Sequence, residues 1–325
     1  MKFSLSALPP YDFTLSTAIF SAGDKQIRKF QDGIFWQVIR LPQKLVLIQV
    51  TSSGSVERPQ LKVELISDRQ ISLDDKRTAQ RIVSSMLNLN LDLRSFYRIA
   101  SGDTVMAEIV QRLRGLKSPL TPTPFEALIE SIIEQQISLI VAHSLQIKVV
   151  KSFGDSLNVR GRTYYAFPTP LALGSASTEQ LRQCGLSLKK AEYVRDISSL
   201  ISQGKLDLAN YESYDDARAV IQELDKLRGI GVWTAEMTLI RGMGRLDTFP
   251  ADDVGVRRVI SHYYLNNRKI LSEEARDIAV RWGRWKALAS FYLIIALLND
   301  IHLESVITGD QTAVSYPGLY ETNRQ

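Results

Sequence analysis

Two glycines, Gly229 and Gly231 in the run LRGIG, constrain this chain more than any other feature. Before them, Val220, Ile221, Leu224 and Leu227 recur at helical spacing. After them, Trp233, Met237 and Ile240 fall at i, i+4 and i+7. Two helices joined by so short a hinge form a hairpin, and the glycines permit close backbone approach. The unpaired N–H groups that open the second helix then face outward, where a phosphate can dock. Beyond that helix, Asp252-Asp253 stands at the start of another. Taken alone, such a pair reads as helix caps. Here it follows an anion cradle by some twenty residues, and that combination is the chemistry to explain.

The chain in front of the hairpin divides into two kinds of pattern. Up to about residue 70 it reads as strands. Ile34, Trp36 and Val38 share one face, with Phe35 and Gln37 on the other, and Leu61, Val63 and Leu65 alternate with Lys62 and Glu64. Short connections at 51–54 and 67–70 imply an antiparallel sheet. Ser72-Leu73-Asp74-Asp75 opens a helix that carries Ala79, Ile82, Val83, Met86 and Leu87 on one face. From Leu91 onward strand signals vanish. Thr123-Pro124-Phe125-Glu126 starts a helix with cap, proline and glutamate in order, followed by an apolar face through Leu128, Ile129, Ile132 and Ile133. Glu134 to Ser138, EQQIS, interrupts that face with amides. Ser177 opens a short helix closed by Gly185, and Ser187 precedes Lys189 and Lys190. Residues 213–227 form the first hairpin helix, and Glu273 to Trp282 and Trp285 to Leu298 form two more. The expected fold is therefore α+β: an antiparallel sheet domain with flanking helices over 1–95, a mostly all-α core of two helical subdomains over 96–304, and an irregular tail over 305–325.

The stretch LRGIGVWTA followed by FPADDVGVRRV resembles the helix-hairpin-helix/GPD superfamily of DNA glycosylases, and within it 3-methyladenine DNA glycosylase II. EQQIS, LRQCGLSLKKAEYV (Leu181 to Val194) and RWKALASFY (Arg284 to Tyr292) resemble family segments in the same order. The likeness covers residues 95–300 well and the first ninety loosely. It implies a hairpin at 213–244 and a loop at 245–253 that ends in the catalytic aspartate, Asp253. Asp252 is left as the helix cap. Cleaving an N-glycosidic bond builds positive charge on the sugar, and a fixed carboxylate stabilises it and orients water. In bifunctional relatives a lysine follows the second glycine by two residues; here that place is Trp233. Water is then the nucleophile, and the abasic site stays intact.

The resemblance carries further expectations. The target base is flipped into a pocket, with Trp233 as its leading wall, facing a cationic alkylated purine. Met237 and Leu297 stand where the resembled 3-methyladenine DNA glycosylase II has aromatic residues, and Phe249 and Tyr292 are available to compensate. Gln136 falls on the wedge that fills the gap left by the flipped nucleotide. The N–H groups of Gly229, Gly231, Trp233 and Thr234 face phosphate, with Arg257, Arg258, Lys189 and Lys190 as further contacts or solvated charges. A monovalent cation, Na⁺ or K⁺, is implied on the main-chain carbonyls of Asp225, Leu227 and Ile230. The implied partner is double-stranded DNA with a damaged base, bound by a monomer. The alternatives are a glycosylase for oxidised or deaminated bases, and a non-catalytic DNA-binding protein.

Composition narrows this. A net charge of +5 and a pI near 9.2 suit a polyanionic partner without requiring one. Cys184 is the single cysteine, which excludes the iron–sulfur cluster of some relatives, and no other cofactor is required. No secretory signal precedes Tyr11 and no apolar run reaches spanning length, so the expected location is cytoplasmic, with access to the nucleoid. His143, His262 and His302 lie far apart, without zinc spacing or a catalytic triad pattern.

Overall fold

The computed structural model describes residues 1–302; the expected tail at 305–325 lies outside the described residues. Strands β1 (Lys2–Ser6), β2 (Arg28–Gln31), β3 (Ile34–Leu41), β4 (Lys44–Ser52) and β5 (Gln60–Ile66) form one antiparallel sheet in the order β1-β5-β4-β3-β2. Asp32 and Gly33, with φ of 52° and 74°, make the two-residue turn between β2 and β3. Phe35, Ile39 and Leu41 join Ile48, Val50, Leu61 and Val63 in a core. Helices α1 (Phe13–Thr17) and α2 (Leu73–Met86) complete this half, and α2 covers the core with Ala79, Val83 and Met86. The capping box that opens α2 is reciprocal: the Asp75 N–H donates to Ser72 Oγ (3.1 Å) and the Ser72 N–H to Asp75 Oδ2 (2.8 Å).

The rest of the described residues are helical, with one exception among them. The helices are α3 (Arg94–Ala100), α4 (Thr104–Arg112), α5 (Pro124–Glu134), α6 (Leu139–Phe153), α7 (Pro170–Gly174), α8 (Thr178–Gln183), α9 (Leu188–Ser202), α10 (Ala217–Asp225), α11 (Val232–Met243), α12 (Val254–Tyr264), α13 (Ser272–Ala279) and α14 (Lys286–Leu298). The exception corrects the all-α expectation. Strands β6 (Ser156–Val159) and β7 (Arg162–Tyr165) form a hairpin. Its turn, Arg160-Gly161, is left-handed at both residues. Strands this short hold too few alternations to register as a period, and an Arg-Gly turn lacks the Asn or Asp that announces one. The hairpin is needed because the second face of the sheet is apolar too: Val38 and Leu47 pack on Leu157, Val159 and Ala166. The first hairpin helix also starts later than expected, at Ala217, where Asp216 accepts the Arg218 N–H (2.9 Å).

The helices divide into two lobes. Phe96, Met106, Ile109, Ile260, Trp282 and Leu293 lie in the core of α3, α4 and α12–α14. Leu128, Ile132, Val149, Val194, Leu224 and Leu239 lie in the core of α5, α6 and α8–α11. The chain leaves the first lobe after Leu116 and re-enters it at Phe249. The segment after α11 therefore crosses from one lobe to the other, and it carries Asp252 and Asp253 across.

Buried charge joins the sheet to the second lobe. Arg28 of β2 reaches Glu130 (3.1 Å) and Glu126 (3.6 Å) on α5, and Arg241 of α11 binds Glu134 one turn further on (2.6 Å). Burial pushes the Glu126 and Glu130 carboxyls above the usual carboxylate range, while Arg28 opposes the rise. The first ninety residues are thus ion-paired into the helix that precedes Gln136.

Candidate active site

Asp253 begins α12, and both of its oxygens are committed. Oδ1 accepts the Val256 N–H (2.9 Å), and Oδ2 accepts the Trp233 Nε1–H (3.0 Å). The second bond spans the lobes, because Trp233 stands in the first turn of α11 and Asp253 opens α12 on the opposite side. Both side chains are half-buried. The arrangement is a fixed carboxylate where the two lobes meet, beside an aromatic ring and a helix N-terminus. The caps are distributed differently from the sequence expectation. Asp253 is itself the cap of α12, and Asp252 is not: its Oδ1 accepts from Ser272 Oγ (2.6 Å) and its Oδ2 lies 3.8 Å from Arg276. Adjacent aspartates look alike in sequence, and the backbone geometry of the turn decides which one reaches the helix N–H groups.

The hairpin presents donors as expected, but its two glycines are not equivalent. Gly229 has φ +94°, and a Cβ there would lie 2.2 Å from the Tyr193 ring. Gly231 caps α11 with ordinary extended backbone, and the space around a Cβ there is open. No side chain caps α11, so its first N–H groups remain available to an anion. Thr234 is buried, and its Oγ1 accepts from Gln135 Nε2 (2.9 Å), which also donates to the Gly229 carbonyl (2.8 Å). Gln136 is exposed at φ +57°, at the apex of the turn after α5. The amide next to it thus ties this turn to the hairpin. Sequence analysis missed that tie, since nothing in EQQIS says which amide faces inward. As for the implied cation, the Asp225 carbonyl ends α10, and the Leu227 carbonyl accepts one N–H, from Ile230 (3.0 Å), keeping its second lone pair. Carbonyls past the end of a helix suit a weakly charged cation. Among the described residues no group of three or more His, Cys, Asp or Glu is placed to hold a metal ion.

Several other expected site residues lie elsewhere. Tyr292 is fully buried among Phe96 and its neighbours, and its hydroxyl donates to the Leu116 carbonyl (2.7 Å). Phe249 is 4% exposed and packs in the same core; Met237 is buried, and Leu297 packs on the core of the first lobe. Tyr292, Phe249 and Met237 are buried and Leu297 is partly buried, because apolar residues of these sizes serve equally well as core. Lys190 donates to the carbonyls of Ile133 (2.7 Å) and Gln135 (2.6 Å) and so closes the end of α5 rather than facing solvent. Its neighbour Lys189 is exposed. Arg257 turns back to Ser272 Oγ (2.9 Å) and the Ala251 carbonyl (3.3 Å), and Arg258 is exposed.

The sequence model of the HhH-GPD superfamily of base excision DNA repair proteins matches residues 129–284. DNA-3-methyladenine glycosylase of Bacillus subtilis is 30% identical over 268 residues, 82% of this chain and 86% of that protein. The chain belongs to this superfamily. DNA-3-methyladenine glycosylase 2 of Escherichia coli is 24% identical, over 90% of this chain and 96% of its own length. The solved 3-methyladenine DNA glycosylase of Archaeoglobus fulgidus superposes with a TM-score of 0.79 at 29% identity, covering 90% of this chain and 98% of that one. The five-stranded sheet and the two helical lobes are thus a superfamily architecture, in its 3-methyladenine glycosylase branch.

Proposed function

We propose that this protein is a monofunctional DNA glycosylase that flips an alkylated purine of the 3-methyladenine or 7-methylguanine type out of duplex DNA and hydrolyses its N-glycosidic bond. The observation that carries this reading is the Trp233–Asp253 hydrogen bond of 3.0 Å. It supports the reading because the Asp253 carboxylate is held in a fixed orientation against Trp233, the position at which the resemblance expects a lysine in bifunctional enzymes, and an indole offers no amine. Asp253 stabilises the cationic sugar as the base departs and orients the attacking water. A purine alkylated at N3 or N7 is already positive and leaves as a neutral base, so no strong acid is needed behind it. Trp233 serves twice, as the donor that orients Asp253 and as a ring beside the extruded base, where a cationic purine gains about 0.5–2 kcal/mol. The hairpin N–H groups and Gln136 hold the backbone and the vacated stack. When bound, a monovalent cation on the carbonyls of Asp225, Leu227 and Ile230 adds positive charge beside a phosphate.

Base release is to be measured on duplexes carrying 3-methyladenine, 7-methylguanine, ethenoadenine, hypoxanthine, uracil or oxidised guanine, with borohydride added in parallel. Release of the first two without a covalent protein–DNA adduct is expected. Exclusive release of bases that carry no charge while still in DNA (ethenoadenine, hypoxanthine, uracil or oxidised guanine), a trapped adduct, or binding with no release at all would each reject the reading. Trp233→Phe keeps a ring but removes the donor. Its single-turnover rate is expected to fall about tenfold, with Kd for DNA within about threefold, the scale of one hydrogen bond to a charged group. An unchanged rate would show that Asp253 needs no such support.

A further inference from the structure

The loop that delivers Asp253 is held from behind by a helix to which nothing above assigns a role. Arg276 of α13 donates through Nη1 to the Phe249 carbonyl (3.1 Å) and to Glu236 Oε1 (3.3 Å), and its Nη2 stands 3.8 Å from Asp252 Oδ2. Ser272, the first residue of α13, donates to Asp252 Oδ1 (2.6 Å) and accepts from Arg257, which also donates to the Ala251 carbonyl. Phe249, Ala251 and Asp252, three of the four residues from Phe249 to Asp252, are thus tied directly or through Arg257 to one short helix. Glu236 is the unexpected member. It lies on α11, on the same helix as Trp233, with its side chain 4% exposed, and its Oε2 is buried without a hydrogen-bond partner among the described residues. A buried carboxylate held by a single half-exposed arginine is costly to keep. Its cost is understandable if the pair does something other than stabilise the fold.

We propose that α13 is a clamp on the active-site loop, in which Ser272 and Arg276, the latter gripped by buried Glu236, set the position of Asp253 against Trp233. The three are positioning residues: they touch neither base nor sugar, and they act through the loop. The geometry accounts for the sharing of Arg276 between α11 and the loop. Trp233 and Glu236 project from successive turns of one helix, so the two sides of the Trp233–Asp253 hydrogen bond are fixed to the same rod, one directly and one through Arg276. Displacing a reacting group by about 1 Å can cost about a hundredfold in rate. Burial raises the Glu236 carboxyl to about 7, with the Arg276 guanidinium opposing the rise and Asp252 adding to it. The grip on Arg276 therefore strengthens as pH increases through that value, with Arg276 on α13 and Asp252 on the loop as the charged groups facing it.

This inference rests on the proposed glycosylase reading for its rate measurements, and one measurement does not. The indole N–H resonance of Trp233, assigned by its loss in Trp233→Phe, reports the hydrogen bond to Asp253 whether or not base is released. Arg276→Met is expected to lower single-turnover base release about 10–100-fold, leave the Kd for duplex DNA within about twofold, and move that resonance. The wild-type rate is expected to rise through about pH 7, and Glu236→Gln, which mimics the protonated acid, is expected to lose that rise. Ser272→Ala removes two hydrogen bonds at a half-exposed position, to Asp252 and from Arg257, leaves the buried Glu236 carboxyl untouched, and is expected to reduce the rate and shift the same resonance with little change in melting temperature. Rates within twofold of wild type in Arg276→Met and Ser272→Ala, or an unmoved Trp233 resonance in both, would overturn the clamp. Wild-type protein that releases no base while its Trp233 resonance still responds to these substitutions would leave the clamp standing and remove the proposed function instead.

Discussion

Asp253→Asn is expected to lower base release by about 10²–10³-fold or more, the usual consequence of removing a preorganised charge from a developing ionic transition state. Asparagine is isosteric, and its carbonyl oxygen can keep the bond from the Val256 N–H that caps α12 (2.9 Å). Its amide nitrogen then meets the Trp233 N–H donor to donor, so the bond across the lobes is lost. The fold should survive, since one cap is retained and the position is only half-buried. Binding to a duplex with a stable abasic analogue should stay within a few fold, because the hairpin and the α11 N-terminus are unchanged. Single-turnover kinetics and fluorescence anisotropy separate the two effects. Activity within tenfold of wild type would mean that another group carries the charge stabilisation.

Gly229→Ala is expected to damage both stability and DNA binding. A non-glycine residue at φ +94° is strained, and the new Cβ would sit 2.2 Å from Cγ of Tyr193, well inside van der Waals contact. Tyr193 cannot retreat cheaply: it packs against the core of the second lobe, and the Arg228 guanidinium lies 5.4 Å from its ring centroid. Strain plus displacement should cost about 2–4 kcal/mol of stability and weaken duplex binding about tenfold or more as the hairpin shifts. Gly231→Ala is the control. Its backbone is ordinary and the surrounding space open, so stability should change by less than about 0.5 kcal/mol. Affinity should still fall, because the open space lies where a phosphate would approach. Equal stability of the two variants would refute the assignment of strain to Gly229.

What could be recognised before the fold was known was local. The hairpin, the caps at Ser72 and Thr123 and the alternation in β3 and β5 all express themselves within a few residues of chain. So does the placement of Trp233 where relatives of another mechanism have lysine. The misreadings share a cause. Tyr292 and Phe249 were candidates for a pocket wall because an aromatic side chain suits a base-binding pocket and a protein core equally. Their environment, the core of α3, α4 and α14, is assembled from segments far apart in sequence. Lys190 looked solvent-facing because nothing near it announces that the carbonyls of Ile133 and Gln135 will come within its reach. The β6–β7 hairpin was invisible because its reason for existing is the apolar second face of a sheet more than a hundred residues earlier.

By itself the amino-acid order determined the glycine-hinged hairpin, the acidic residue that follows it and the absence of an amine between them, since each depends on residue type and short-range spacing. Only the tertiary structure decided which aspartate caps α12 and that Trp233 donates to it from the other lobe. It likewise decided that Gln135, Arg276 and Glu236 lock the surrounding loops. Those are contacts between segments brought together by core packing, and a hydrogen bond made from one lobe to the other leaves no trace in the periodicity of either stretch of chain that makes it.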